Sequence, residues 1–286
     1  MNHEPATTLE KVLLNGGPAQ QISPYDRGVH FGDGLFETIA CRRGRPRFLT
    51  LHLERLRLGC ERLGIDAGHD DIAAEIRSLA GEVDSSIVKL VLTRGIAVAR
   101  GYGFTGREKA TRITFRYPWP PENRTGSQDG VQVRTATLRL GENPALAGLK
   151  HCNRLEQVLA RREWTDPGIA EALLFSSSGK LVSGTMSNVF IVDGSGLRTP
   201  RVDLCGVAGV MRRVVLREAT RIGVPVTEDV LDANDLRGAD EVFLTNARIG
   251  IWPVRKLDNR ALGPNPATRR LQEALEPLLE NPPDHE

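Results

Sequence analysis

One segment rich in proline, glycine and polar residues constrains the fold of this chain more than any other feature. It reads YPWPPENRTGSQDG and spans residues 117–130. Proline lacks the backbone N–H that helices and central strands need, and glycine favours turns, so neither element is expected to continue through it. The segment predicts an N-terminal domain over residues 1–118, a linker over 119–130 and a C-terminal domain over 131–286.

Strand and helix patterns form clusters on both sides of this boundary. Before it, runs rich in apolar and β-branched residues predict strands at GLFETIAC, SIVKLVLTRG and ATRITFRY. PRFL predicts a return strand after GLFETIAC. Helical spacing of apolar residues predicts helices over about residues 50–63 and 70–80.

After the boundary, VQVRTATLRL and EVFLTN predict strands. VAGVMRRVVLREATRIG predicts an amphipathic helix, and PATRRLQEALEPLL predicts a closing helix. KHCNRLEQVLARREW predicts a further helix, which begins at or just before Lys150. This clustering favours an α+β fold made of two α/β domains, the N-terminal one smaller and the C-terminal one larger with a strand-rich core.

Charge and hydropathy disfavour several classes of protein. In a chain of 286 residues the formal net charge is only +2, and the arginines are interleaved with acidic residues. Binding to nucleic acid or to an anionic membrane is therefore not expected. The apolar runs are shorter than the roughly 20 residues of a membrane span. The first residues also lack the basic and then apolar pattern of a secretory signal.

Cysteine and histidine spacing gives no sign of a disulfide or a metal site. The cysteines at 41, 60, 152 and 205 form no CxxC pair, which is typical of free thiols in a reducing cytoplasm. The histidines form no pair with metal-ligand spacing, and we predict no metal. GYGFTG, residues 101–106, matches the dinucleotide pattern GxGxxG but lacks the apolar helix that should follow it.

Three short motifs are more informative. HFGDGLFET, residues 30–38, combines glycines that permit close backbone approach with Glu37 and Thr38, although it could be a plain tight turn. Lys150 follows an apolar stretch in LAGLKHCNRLEQ; a partly buried amine can act as a nucleophile, whereas most such lysines are surface residues. CGVAGVMRR is a glycine-rich start to a helix, which is either an anion site or an ordinary cap.

Together these motifs resemble the fold-type IV pyridoxal-phosphate enzymes with the D-amino-acid aminotransferase-like fold. The resemblance covers nearly the whole chain in order, through FGDGLFE, HLERL, TRG, the lysine segment, SNVF, CGVAGVMR, EVFLTN and WPVR. The segment LAGLKHCNRLEQVLARREW is similar to the 4-amino-4-deoxychorismate lyase branch, which makes 4-aminobenzoate and pyruvate in folate biosynthesis. A fold-type IV aminotransferase acting on D- or branched-chain amino acids is the alternative, and a cofactor-binding protein without turnover is a third reading.

The resemblance implies roles for individual residues. Lys150 matches the lysine that forms the Schiff base with pyridoxal 5'-phosphate and then moves protons. Arg55 matches the arginine that binds the cofactor phosphate, a task suited to its forked guanidinium. The remaining cofactor-binding positions that the resemblance implies are Ser183, Asn188, Val210, Met211, Asn246 and Ala247.

Ser183 departs from the family pattern. Family members usually carry a glutamate there, facing the pyridine nitrogen. A hydroxyl can hydrogen-bond to that nitrogen but supplies no negative charge, so the cofactor would be a weaker electron sink. Transamination should suffer from this more than the lyase reaction does, because the lyase reaction gains an aromatic product. We therefore hypothesise that Ser183 is tolerated in a lyase.

The resemblance also suggests the substrate side of the site. Thr38 is a candidate proton donor to the departing enolpyruvate. The substrate carries two carboxylates, and cationic or hydroxyl groups from one loop could bind them, with solvated loop charges as the ordinary alternative. The loop candidates are Arg94, Arg100, Tyr102 and Arg107. The resemblance further implies a homodimer and functional coupling to aminodeoxychorismate synthase.

Overall fold

Two β-sheets dominate the computed structural model, which describes residues 10–18, 21–98, 100–120 and 129–282. The chain divides into two compact units. The first consists of Met1–Pro121, Lys150–Asn153 and Leu278–Glu286, and the second of Glu122–Leu149 and Arg154–Pro277. Strands and helices occur together in each unit, which confirms the predicted α+β class.

The first unit is built on a six-stranded sheet. Its strands are β1 Lys11–Leu14, β2 Gly17–Pro18, β3 Gly34–Arg42, β4 Arg45–Pro46, β5 Ser85–Thr93 and β6 Thr111–Pro118. They lie in the order β2-β1-β6-β5-β3-β4, and every pairing is antiparallel. The helices of this unit are α1 Arg27–Phe31, α2 Leu49–Leu63 and α3 His69–Gly81.

Alternation along β3 separates two sets of side chains, because successive residues of a strand point to opposite faces. Leu35, Glu37 and Ile39 are buried. Phe36 and Thr38, on the other face, are half-buried. β3 therefore has one face in the core and one face able to line a site.

The second unit is built on a nine-stranded sheet. Its strands are β7 Val131–Leu140, β8 Ile169–Ser176, β9 Leu181–Gly184, β10 Asn188–Asp193, β11 Gly196–Pro200, β12 Val226–Asp229, β13 Glu241–Asn246, β14 Gly250–Leu257 and β15 Arg260–Ala261. The order is β12-β11-β10-β13-β14-β7-β8-β9, with β15 paired to β14. Its helices are α4 Leu155–Arg161, α5 Val210–Arg221, α6 Ala233–Gly238 and α7 Pro266–Glu280, the last three residues of α7 belonging to the first unit. The stacked rings of Phe190 and Phe243 lie in its core, with centroids 4.9 Å apart.

The main strands and helices predicted from periodicity are confirmed. The helices predicted at 50–63 and 70–80 are α2 and α3, and the amphipathic helix after CGVAG is α5. PRFL is not a full return strand, because β4 ends at Pro46 and α2 begins at Leu49. The short helix α1 was not predicted. No helix in the described part of the chain has both the length and the apolar run needed to cross a membrane.

The prediction of a helix at Lys150 is wrong, because α4 begins only at Leu155. The predicted linker includes residues 121–128, which lie outside the described residues. The domain boundaries at 118 and 131 stay a prediction.

Candidate active site

Lys150 lies in an extended segment that pairs with β3. Its carbonyl accepts a hydrogen bond from the N–H of Phe36 at 2.9 Å, and the N–H of Cys152 donates to the carbonyl of Gly34 at 2.9 Å. Leu35 and His151 form the antiparallel bridge between these two bonds. The backbone N–H and C=O groups that would form helical hydrogen bonds are thus bonded to β3 instead. This explains why no helix forms at Lys150 despite the helical pattern of the sequence.

The Lys150 side chain lies on the half-buried face of β3. Its Nζ is 4.3 Å from the centroid of the Phe36 ring. Thr38 shares that face with Phe36, as alternation along the strand requires. Lys89 lies opposite Thr38 in the register with β5, and its Nζ is 5.7 Å from the same ring. Two amines therefore lie beside the Phe36 ring, and the Thr38 side chain is on the same face of the strand.

The opposite face of β3 carries a buried charged cluster formed with α2. Both oxygens of Glu37 accept from Arg55, Oε1 from Nε at 2.8 Å and Oε2 from Nη2 at 2.5 Å. The Nδ1 of His52 lies 2.6 Å from Oε2. Glu37 and His52 are 2% and 1% exposed, so solvent does not compete for these bonds. Because His52 and Arg55 are three residues apart, one face of α2 presents both to the same carboxylate.

Charge pairing controls the ionisation of this cluster. Burial by itself would raise the pKa of Glu37, but the charge of Arg55 and the His52 hydrogen bond lower it to about 2. Burial lowers the pKa of His52, and the charges of Arg55 and Lys150 act in the same direction against the pull of Glu37. Among the described residues, the Nε2 atom of His52 has no hydrogen-bond partner although it is buried. An unsatisfied buried ring nitrogen indicates a place where a ligand or water completes the bonding.

In the second unit, the start of α5 has the features of an anion site. Its N-cap is Gly209, and no side chain in the described part of the chain caps it. The first N–H groups of the helix, at Val210 and Met211, have no acceptor inside the helix and favour a negative charge. A Cβ atom on Gly209 would lie 1.9 Å from Oδ1 of Asn188. Only glycine permits this approach, so the sequence leaves the helix start open.

Asn188 and the residues before Lys150 hold this helix start in place. Nδ2 of Asn188 donates to the carbonyl of Val207 at 3.0 Å. Gly148 donates to the carbonyl of Gly206 and accepts from Ala208, both at 3.0 Å. The backbone that leads directly to Lys150 is therefore hydrogen-bonded to the start of α5.

Ser183 is buried at 8% exposure in β9, and its hydroxyl donates to the carbonyl of Gly184 at 2.9 Å. The segment that follows it is held by Glu171, a residue that the sequence prediction did not include. Glu171 accepts from the N–H groups of Thr185 and Met186 at 3.0 and 3.1 Å, and from the hydroxyl of Ser187 at 3.0 Å. A single glutamate in the otherwise apolar run IAEALLF of β8 is the available sequence signal.

Asn246 closes the turn after β13 in which Ala247 lies. Its Oδ1 accepts from the N–H groups of Arg248 and Ile249, each at 3.0 Å. Its Nδ2 donates to the carbonyl of Met186 at 3.1 Å. The turn carrying Asn246 and Ala247 is therefore joined to the segment after Ser183, so these predicted positions are organised together within the second unit.

The predicted substrate residues have very different surroundings. Arg100, Tyr102 and Arg107 are exposed in the loop between β5 and β6. Arg94 is 5% exposed, and its guanidinium donates to Asp33 and to the carbonyls of Leu63 and Gly64. These contacts occupy the guanidinium of Arg94, which therefore supports the loop from within and does not face the substrate side.

The residues present fit pyridoxal phosphate. A lysine amine beside an aromatic ring suits the aldehyde end of the cofactor. A guanidinium fixed by Glu37 and an open helix start suit a phosphate, because both offer N–H donors and positive charge. The orphaned Nε2 of His52 adds a buried polar atom beside Arg55.

Comparison with known proteins supports this interpretation. The amino-transferase class IV family profile matches residues 34–257. An aminodeoxychorismate lyase from Vibrio harveyi is 33% identical over 264 residues, which cover 91% of this chain and 97% of that protein. A D-alanine aminotransferase from Staphylococcus aureus is 28% identical over 289 residues, 96% of this chain and 99% of that protein. The crystal structure of 4-amino-4-deoxychorismate lyase from Pseudomonas aeruginosa has a TM-score of 0.91 and 42% identity, over 94% of this chain and 100% of that one.

Proposed function

The chain belongs to the class IV aminotransferase family of fold-type IV, pyridoxal-phosphate-dependent enzymes, and from this premise we propose that it is a 4-amino-4-deoxychorismate lyase. The proposed reaction converts 4-amino-4-deoxychorismate to 4-aminobenzoate and pyruvate. The observation that carries the proposal is the half-buried face of β3, where the amines of Lys150 and Lys89 lie beside the ring of Phe36 and Thr38 is on the same face. This face offers a base, a cation and a hydroxyl, which are the groups that the lyase reaction needs.

The family resemblance assigns cofactor-binding roles to residues of this chain. Arg55 and the N–H groups of Val210 and Met211 would bind the phosphate. Lys150 would carry the aldehyde carbon. The turn at Asn246 and Ala247 would flank the phosphate side, while Asn188 and Ser183 would flank the ring. Bound pyridoxal phosphate supplies an electron sink for the carbon that bears the substrate amine.

The chain's own groups account for the proton movements. Nζ of Lys150 would take the proton from the ring carbon that bears the amine, since an amine close to that carbon is a competent base. Oγ1 of Thr38 would hold the proton that the departing enolpyruvate receives. Loss of pyruvate leaves an aromatic ring, and this product stability drives the reaction without a strong electron sink. The hydroxyl of Ser183, which supplies no charge, is compatible with that chemistry.

Cationic groups are needed for the two substrate carboxylates. Lys89, whose amine lies beside the Phe36 ring on the half-buried face of β3, is one candidate. Arg100, Tyr102 and Arg107 are the others, on the exposed loop between β5 and β6. A homodimer, functional coupling to an aminodeoxychorismate synthase and a cytoplasmic location complete the proposal.

The test couples the protein, loaded with pyridoxal phosphate, to a synthase with chorismate and glutamine. 4-Aminobenzoate and pyruvate should appear together in equal amounts, and Lys150→Ala should abolish both. The similarity to D-alanine aminotransferases makes transamination of D-amino acids the second candidate. Its assay follows transfer of the amine from D-alanine to a 2-oxo acid, and turnover there without release of 4-aminobenzoate would overturn the lyase proposal.

A further inference from the structure

A buried arginine fixes the backbone of the loop that carries the candidate substrate residues. Arg27, in α1, is 4% exposed. Its Nη1 donates to the carbonyls of Gly101 and Gly103 at 3.2 and 3.0 Å, and its Nη2 donates to the carbonyl of Tyr102 at 2.8 Å. One guanidinium therefore binds three successive carbonyls of the loop.

Asp33 holds this guanidinium from the other side. Its Oδ2 accepts from Nε of Arg27 and from Nε of Arg94, both at 2.8 Å. Arg94 in turn packs over the ring of Phe104, with Cζ 3.9 Å from the centroid. Burial opposes ionisation of Asp33, but its bonds to Arg94 and Arg27 lower the pKa of the carboxyl below its ordinary value. We call Arg27, Asp33 and Arg94 the loop clamp.

The loop needs this support because its own residues form few contacts that could fix its conformation. Residues 101–107 are exposed and form neither helix nor strand. Tyr102 is 83% exposed, and its ring lies 5.2 Å from that of Phe31 in α1. Gly101 has φ of 101°, a conformation that other residues rarely adopt. The buried guanidinium of Arg27 thus fixes the backbone of an exposed, glycine-rich segment that has no helix or strand of its own.

We infer that Arg27 is a positioning residue for substrate recognition. By binding the carbonyls of residues 101–103, it fixes where Tyr102 and its neighbours Arg100 and Arg107 meet the substrate carboxylates. This inference rests on the proposed function for the identity of the substrate. Arg27 would orient the loop before the substrate binds, and the loop would therefore lose less conformational entropy on binding.

The test compares Arg27→Gln with Arg57→Gln in the enzyme loaded with cofactor. Arg57 is a matched control because it is an exposed arginine on α2 that pairs with Glu61 at 3.2 Å. Arg27→Gln should raise KM for the lyase substrate by about tenfold to a hundredfold, with kcat and cofactor Kd close to wild type. Arg27→Lys, which retains the charge and one donor group, should recover part of the KM effect. Trypsin should cleave after Arg100 and Arg107 faster in Arg27→Gln than in the wild type or the control.

Unchanged KM and unchanged cleavage in Arg27→Gln would overturn the inference. So would a parallel fall in kcat, cofactor affinity and melting temperature, because that result indicates a general structural role. If the wild type releases no 4-aminobenzoate, the proposed function fails by itself. The clamp is then judged by the KM for D-alanine in transamination together with tryptic cleavage of the loop, and it fails if neither changes.

Discussion

Glu37 is the residue on which the candidate phosphate site depends most directly. It binds the guanidinium of Arg55 with both oxygens and also pairs with His52. Arg55 alone could adopt many rotamers; bound to a buried carboxylate, it presents a fixed fork. In the proposed site Glu37 would therefore act through Arg55, as a positioning residue rather than a catalytic one.

Replacing Glu37 with Gln should weaken cofactor binding. The new amide group puts a donor where Arg55 or His52 now donates, so one charged hydrogen bond is lost and two donors face each other. We expect the Kd of pyridoxal phosphate to rise about tenfold, measured by absorbance titration of the apoenzyme. Glu61→Gln is the matched control, because Glu61 is an exposed carboxylate on α2. Equal affinities in wild type and Glu37→Gln would contradict the role given to Glu37.

His52 should make stability depend on pH. Burial holds its pKa below the ordinary 6.5, so the unfolded chain binds the proton more readily than the folded one. Its stabilising contribution is therefore fully present above pH 6.5 and is lost as pH falls below that value. Glu37, with a pKa of about 2, stays ionised over this range and does not contribute to the change.

The His52→Asn variant tests this dependence. Asparagine can still donate to Glu37 but does not titrate. Between about pH 7.5 and about pH 5.5, the wild type should lose about 1 kcal/mol more free energy of unfolding than His52→Asn, measured by urea denaturation. His30→Asn, which removes an exposed histidine, is the control. Identical losses in wild type and His52→Asn would contradict the assignment.

Ser183 tests the choice between lyase and aminotransferase at a single position. Ser183→Glu restores a carboxylate that would keep the pyridine nitrogen protonated, and Ser183→Gln is its uncharged control of similar size. We expect Ser183→Glu to raise transamination of D-alanine relative to Ser183→Gln while lyase turnover changes by less than about threefold. A strong rise in lyase turnover, or a wild type that transaminates as fast as it releases pyruvate, would sink the hypothesis.

At the scale of elements, the start of α5 depends on having no side chain at Gly209. A Cβ there would meet Oδ1 of Asn188, and Asn188 can move away only by breaking its bond to the carbonyl of Val207. Gly209→Ala should lower the free energy of unfolding by about 1–3 kcal/mol and weaken binding of pyridoxal phosphate. Gly238→Ala, at the end of α6, is the control because nothing lies within 4 Å of the added atom. Similar stability in the two variants would contradict this account.

The strands and long helices could be predicted because their sequences repeat with the period of the element. β5, β6, α2 and α5 all carry such patterns over eight residues or more. The segment after Lys150 also carries a helical pattern, but only from Leu155 onward does the chain follow it. Pairing with β3 is a long-range contact, and no local pattern in residues 150–153 reveals it.

The sequence predicts only those residues of the candidate site that stand in recognisable motifs. Lys150, Arg55 and the CGVAGVMR helix start stand in recognisable motifs. Glu171 and Lys89 do not, since each is a single charged residue in an apolar strand. Lys89 is important through Phe36 of the neighbouring strand β3, and Glu171 through its bonds to the segment after β9. The structural role of Arg94 is equally invisible in sequence, because Asp33 lies far from it along the chain.

At the scale of the whole molecule, the two compact units do not correspond to two continuous stretches of chain. Lys150–Asn153 belongs with the first unit although both flanking segments belong with the second. Composition indicates a single boundary, at the segment rich in proline and glycine, and so predicts two continuous domains. Lys150, the proposed Schiff-base lysine, therefore belongs to a four-residue stretch of the first unit that interrupts the second unit along the chain.

The proposed homodimer can be tested at helix α4, which has an exposed apolar side. Leu155, Val158 and Leu159 are 77%, 55% and 49% exposed, and their spacing puts them on one side of the helix. Three large apolar side chains together on a short surface helix indicate a protein partner. In the proposed homodimer, this side of α4 would contact a second copy of the chain.

Val158→Glu should therefore convert the dimer to a monomer, because a charge would be buried in an apolar contact without a partner. Sedimentation velocity should show the wild type at twice the chain mass and the variant at once that mass. Val230→Glu is the control, since Val230 is 50% exposed in the segment between β12 and α6, outside this helix. A monomeric wild type would contradict the homodimer. A dimer that survives Val158→Glu would leave the homodimer standing but place its interface away from α4.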